Sequence, residues 1–136
     1  MLRAALIALT ISLAGMAPAQ TGASDPEIEA VIQGQIDALK ADDFETAFSF
    51  ASPSIKRIFG TPDRFGTMVE QGYPMIIAPG EVKFLELRQI AGSLWQKVLV
   101  RDAKGAFFLL DYQMLPGEGG WQIDGVQLLQ AEQLGA

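Results

Sequence analysis

Two apolar, β-rich runs meet at a turn between Leu94 and Met114, and this pairing limits what the chain can fold into more than any other stretch. Leu94-Trp95-Gln96-Lys97-Val98-Leu99-Val100-Arg101 precedes the turn signal Asp102-Ala103-Lys104-Gly105, and Ala106-Phe107-Phe108-Leu109-Leu110-Asp111-Tyr112-Gln113-Met114 follows it. Glycine stands where a positive φ is needed. The arrangement predicts the central hairpin of a curved antiparallel sheet. Similar runs lie on either side, at Val82–Ile90 and Trp121–Leu129, joined through Ala91-Gly92-Ser93 and Pro116-Gly117-Glu118-Gly119-Gly120. From Glu81 onward the chain therefore reads as a four-stranded meander.

Everything earlier reads as helix or leader. Met1-Leu2-Arg3 carries positive charge, Ala4–Ala17 is an apolar run, and Ala17-Pro18-Ala19 puts small residues where a signal peptidase reads. Residues 1–19 are expected to be a signal peptide cut between Ala19 and Gln20, giving a periplasmic or secreted protein. A retained membrane anchor is the competing reading, but a span needs about 20 apolar residues and this run is shorter. No cysteine follows it, which removes a lipid anchor. Residues 20–24 read as a disordered lead-in, and 25–136 as one domain. A chain of that size buries roughly 65% of its unfolded surface, enough to hold a core by packing without disulfides.

Ser24 and Glu27 have capping-box spacing around Asp25-Pro26, and Ile28, Val31, Ile32, Ile36 and Leu39 recur at helical intervals behind them. Asp42-Asp43 reads as a cap for a second helix over Phe44–Ala51, in preference to an acid or metal site. Pro53–Phe59 is expected to form a short helix ending at Gly60, and Thr61-Pro62 opens another with Phe65, Met68 and Val69 inward and Gly72 as its stop. Tyr73–Gly80, bounded by prolines, reads as an edge strand or crossing segment. Helices followed by strands make an α+β layout.

Composition removes several function classes. The chain has neither histidine nor cysteine and a formal charge of −6. Histidine-dependent nucleophilic triads and the usual zinc and copper sites lose their ligands. No glycine-rich phosphate loop and no calcium loop is present, so no cofactor or metal is expected. An acidic chain without a basic block has no electrostatic footprint for nucleic acid or, once mature, for an anionic membrane surface.

Charge sets a register. With Asp102 opposite Ala106, Lys97 falls opposite Asp111; with Ile90 opposite Leu94, Lys83 falls opposite Arg101. One face then collects Val82, Phe84, Glu86, Arg88 and Ile90 beside Leu94, Gln96, Val98 and Val100, with Phe108, Leu110, Tyr112 and Met114. A bulge at Asp124-Gly125 is needed to keep Val126 and Leu128 on that apolar face and bends the last strand.

With those elements placed, Ala47–Arg64, Gly72-Tyr73-Pro74-Met75, Val100-Arg101-Asp102 and Leu110-Asp111-Tyr112-Gln113-Met114 resemble a family of small exported bacterial proteins, domain of unknown function 4864. The helices, the meander and the final Trp-Gln-Ile-Asp-Gly-Val strand are similar to the nuclear transport factor 2-like, or cystatin-like, cone. The resemblance implies helices packed on the concave face of a curved four-stranded antiparallel sheet, and an exported location. It brings no activity, cofactor or catalytic residue.

On the concave face Arg88, Gln96 and Tyr112 form a polar row, with Glu86 nearby and Tyr73 able to close over it. Such a row is either a satisfied internal network or the floor of a pocket for a small, partly apolar ligand, in which Arg88 would favour an anionic group. On the opposite face Leu85, Leu87, Trp95, Leu99 and Leu109 form an apolar patch beside Lys97 and Asp111. A two-fold dimer or another protein partner would cover it, unless the register is off by one and the faces exchange. Glu86 with Tyr112 is the one pair suited to proton-transfer catalysis, the least supported of the three readings. Ligand binding without catalysis is the leading expectation.

Overall fold

Proline and a short polar cap set the start of each longer helix. The computed structural model describes residues 24–129; the expected signal peptide and its cleavage point lie outside them. Helix α1, Pro26–Lys40, is capped by the Asp25 carboxylate, which accepts from the N–H groups of Glu27 and Ile28 at 2.9 and 3.3 Å. The cap is thus Asp25, one residue beyond the Ser24 of the expected capping box. Helix α2, Phe44–Ser49, is capped by Asp43, which accepts from Thr46 N–H at 3.1 Å. It ends before Ala51, because Ala51 is drawn into a bridge described below. Helices α3, Pro53–Phe59, and α4, Pro62–Gly72, take the expected bounds, capped by Ser52 and Thr61. Gly66 lets the Phe44 ring lie directly on α4; a Cβ there would collide with it.

Tyr73–Ala78 crosses from the helices to the sheet without forming a strand, and Pro79 and Gly80 open the edge strand that follows. Pro74–Ile77 forms a single helical turn, α5, with Met75 and Ile76 buried. Pro74 at the first position presets φ for that turn, and burial of two adjacent apolar residues suits a turn of helix better than an alternating strand.

Strands β1, Pro79–Ile90, β2, Ser93–Asp102, β3, Phe107–Gly117, and β4, Gly120–Leu128, form one antiparallel sheet in sequence order. The central hairpin has the expected register, with Gln96 opposite Tyr112 and Lys97 opposite Asp111. Its loop closes through Asp102 N–H to Ala106 C=O at 2.9 Å, and the Asp102 carboxylate accepts from Lys104 N–H and Ala106 N–H. The bulge at Asp124 is also present: Met114 pairs Ile123 while Gln113 pairs Gly125, so Val126 lies beside Tyr112 on the helix-covered face. The β3–β4 turn is tighter than expected, with Gly117 opposite Gly120.

The first hairpin departs from expectation twice. Ile90 pairs Ser93, not Leu94, around a two-residue turn in which Ala91 and Gly92 have φ of 50° and 84°. Positive φ at both central residues matches the twist of the flanking strands. Farther along, an extra residue sits between the Phe84–Val98 and Leu87–Gln96 pairs. This second bulge exchanges the faces of the last third of β1: Leu87 turns into the core and Arg88 turns out of it.

The core lies between the helices and one face of the sheet. Ile28, Ile32, Ile36 and Leu39 of α1 are fully buried, as are Val98, Val100, Leu110 and Tyr112 of the sheet. Each such aliphatic side chain stabilises the fold by about 1.5–3 kcal/mol relative to exposure. The segment between α2 and α3 adds to the sheet beyond β4: Ile123 N–H donates to Phe50 C=O and Ser52 N–H to Ile123 C=O, both at 2.9 Å.

Candidate functional site

Of the expected polar row, the sheet brings two members together. Gln96 and Tyr112 are directly opposite and buried. Arg88 is opposite Trp95 on the other face, for the reason just given. There it crosses the back of β2 to form a two-pronged ion pair with Asp111, at 2.9 and 2.7 Å. Those hydrogen bonds to Asp111 hold the Arg88 guanidinium above its ordinary pKa, against the opposing effect of burial. Glu86, expelled by the same bulge, is exposed and meets Lys97 at 3.2 Å. Glu86 and Tyr112 therefore do not face one another.

Gln96 has a structural task that the sequence register could not reveal. Its Nε2 donates to Leu85 C=O at 3.0 Å and to Lys97 C=O at 2.8 Å. The first of these carbonyls belongs to the bulge, where strand pairing is interrupted, so the amide satisfies backbone that would otherwise be buried without a partner. Tyr112 is completely buried, and no group among the described residues bonds its hydroxyl. Burial, reinforced by Tyr73, raises its phenol well above the ordinary value of 10. It is neutral at any physiological pH.

A cavity of about 210 Å³ opens elsewhere, between α3, α4, α5 and β4. Its buried lining is Gln35, Ala51, Phe65, Val69, Ile76 and Ile123; Ile55, Phe59, Met68, Tyr73 and Val126 are half-buried around it. Phe65 is fixed by Phe48 at 5.4 Å and by an edge-on contact with Phe59 at 5.9 Å between ring centres. Among the described residues no charged side chain lines this cavity. Its polar side chains come from Gln35, whose Nε2 donates to Ala47 C=O at 3.2 Å, and Tyr73, whose hydroxyl donates to Val126 C=O at 2.9 Å.

Tyr73 is thus the one expected site residue that lines the cavity. Gln35 was missed, although its position carried a signal: it stands three residues after Ile32 and four before Leu39, on the apolar stripe of α1. A glutamine there must be buried with partners. The helix-side lining was missed because spacing gives the inward face of each short helix without saying how closely two of them approach.

On the back of the sheet the expected apolar patch is smaller than its residue list implied. Leu87 belongs to the core, Leu109 is buried, and Leu85, Trp95 and Leu99 are half-buried. Charged pairs cross the same face at Arg88–Asp111, Lys97–Glu86 and Arg101–Glu81. Among the described residues no cluster of three metal-ligating side chains occurs, and no helix is long and apolar enough to cross a membrane.

The model of the family Domain of unknown function (DUF4864) matches residues 21–136, and the chain belongs to that family. No curated protein and no solved structure matches it.

Proposed function

We propose that this member of the family is an exported, non-enzymatic protein that binds a small, largely apolar ligand in the cavity between α3, α4, α5 and β4. The observation that carries the reading is the cavity itself: about 210 Å³ and largely apolar, with Phe59 and Phe65 in its wall and two polar side chains. Engineered apolar cavities of about 150 Å³ take up benzene, so this one suits a substituted single ring or a short acyl chain. It is below the usual range of pockets for larger ligands, about 300–1,000 Å³. Export is supported by the composition of residues 1–19. A nuclear transport factor 2-like cone is supported by the helices-then-meander order and by the bulges in β1 and β4.

The reading is tested on protein taken from its native compartment, by native mass spectrometry and by thermal shift against small aromatic and acyl compounds. A bound small molecule or a saturable stabilisation is expected. Met68→Trp, which enlarges a half-buried lining side chain, should abolish the response, whereas Arg88→Ala should retain it because Arg88 faces the back of the sheet. A wild-type protein that neither carries nor responds to any such compound would sink the proposal, as would a response lost in Arg88→Ala and kept in Met68→Trp.

A further inference from the structure

The polar groups around the cavity are not balanced between donors and acceptors. Gln35 bonds the carbonyl of Ala47, and a carbonyl only accepts, so Nε2 is the atom at that end and the orientation of the amide is fixed. Its Oε1 is left as an acceptor, and no donor among the described residues bonds it. Tyr73 spends its hydroxyl hydrogen on Val126 C=O, which leaves the lone pairs of the phenolic oxygen. Both residues line the cavity. Two residues of an otherwise apolar lining therefore carry side-chain acceptors, and among the described lining residues the second Gln35 N–H is the remaining side-chain donor.

Charge adds a second constraint. Among the described residues no lysine or arginine lines the cavity to neutralise a carboxylate, and no aspartate or glutamate lines it to neutralise an ammonium. An ion entering it would lose hydration without gaining a partner, which makes its uptake strongly unfavourable. An acceptor meets no such penalty, because a donor on the occupant can take the place of the water that would otherwise reach it.

Resting on the cavity reading above, we infer that the ligand is a neutral molecule with an apolar frame and one hydrogen-bond donor, of the phenol, indole or alcohol class, and not an acid. The donor bonds Gln35 Oε1 or Tyr73 Oη while the frame packs against Phe65, Val69 and Ile123.

The test uses two pairs of probes matched in shape, p-cresol with p-xylene and 4-methylbenzamide with 4-methylbenzoate, titrated at neutral pH and followed by calorimetry or NMR. The expected result is that p-cresol binds about tenfold more tightly than p-xylene, the worth of one buried hydrogen bond. The benzamide should outbind the benzoate. In Tyr73→Phe or Gln35→Met the preference for p-cresol should shrink towards unity while p-xylene keeps its affinity within about twofold. Using both variants guards against one of them perturbing the fold through Val126 or Ala47. Equal binding of p-cresol and p-xylene, or tighter binding of the benzoate, overturns the inference while leaving a cavity that binds apolar ligands. Binding of none of the four overturns the cavity reading and the inference with it.

Discussion

Arg88 and Asp111 share two hydrogen bonds across the back of the sheet, and the two side chains are unequally buried, 19% and 8% exposed. Removing the arginine strands a carboxylate in a poorly hydrated place, whereas removing the aspartate leaves a long edge-strand side chain free to reach water. Arg88→Ala is therefore expected to cost about 2 kcal/mol and Asp111→Ala less, as read from urea unfolding midpoints. Equal costs would mean that the pair is as solvated as an ordinary surface salt bridge. Asp43 makes a pH-dependent contribution. The Thr46 side chain and then its N–H hold the Asp43 carboxyl below its ordinary 3.8. A carboxylate depressed in the folded state stabilises above the unfolded pKa, and that stabilisation disappears as pH falls through the lower folded value. The stability gap between wild type and Asp43→Ala should be constant near neutrality and close below pH 3.8; a gap that widens in acid would contradict this.

At the scale of elements, the bulges at Leu85-Glu86 and at Asp124 and one long-range clasp decide which side chains face which way. The bulge at Asp124 also supplies a partner for the turn that leads into α3: Ser52 Oγ donates to Asp124 Oδ1 at 2.6 Å while accepting from Ile55 N–H. One buried hydroxyl thus caps α3 and ties it to β4. Helix α3 has no fully buried residue of its own, and Ile58 on it is 71% exposed. Its packing is through the half-buried Ile55 and Phe59, and the clasp holds its first turn. Ser52→Ala should cost about 1–2 kcal/mol and speed hydrogen exchange in α3 ahead of α1. Uniform loss of protection across both helices would show that α3 has no separate opening.

The same elements show what a sequence can carry. The helix bounds at Pro53–Phe59 and Pro62–Gly72, the central register and the Asp124 bulge were legible because prolines, glycines and alternation act locally. The Leu85-Glu86 bulge was not. Phe84, Glu86, Arg88 and Ile90 alternate acceptably without it, and the hydrogen bond that favours it comes from Gln96 on the neighbouring strand. Ala91 gave no turn signal of the required kind, since its positive φ is one that glycine or asparagine would have announced. The shift of one residue moved Arg88 from the expected pocket to the back of the sheet.

For the whole molecule, the consequence is a division of labour between the faces. The helix-covered side holds a neutral, largely apolar interior with a cavity at its α3–α4–α5 end, and the other side carries the ion pairs. Nothing in the alternation of the strands points to that cavity, because its walls are mostly helical and depend on Gly66 and Phe44 setting the approach of α2 to α4. The most direct measurement is a titration of methyl-labelled protein with p-cresol, followed by NMR. Saturable shifts on Val69, Ile76, Ile123 and Val126 are the result expected if the cavity is the site. No saturable shift, or shifts centred on Leu99 and Leu109 at the back of the sheet, would contradict it.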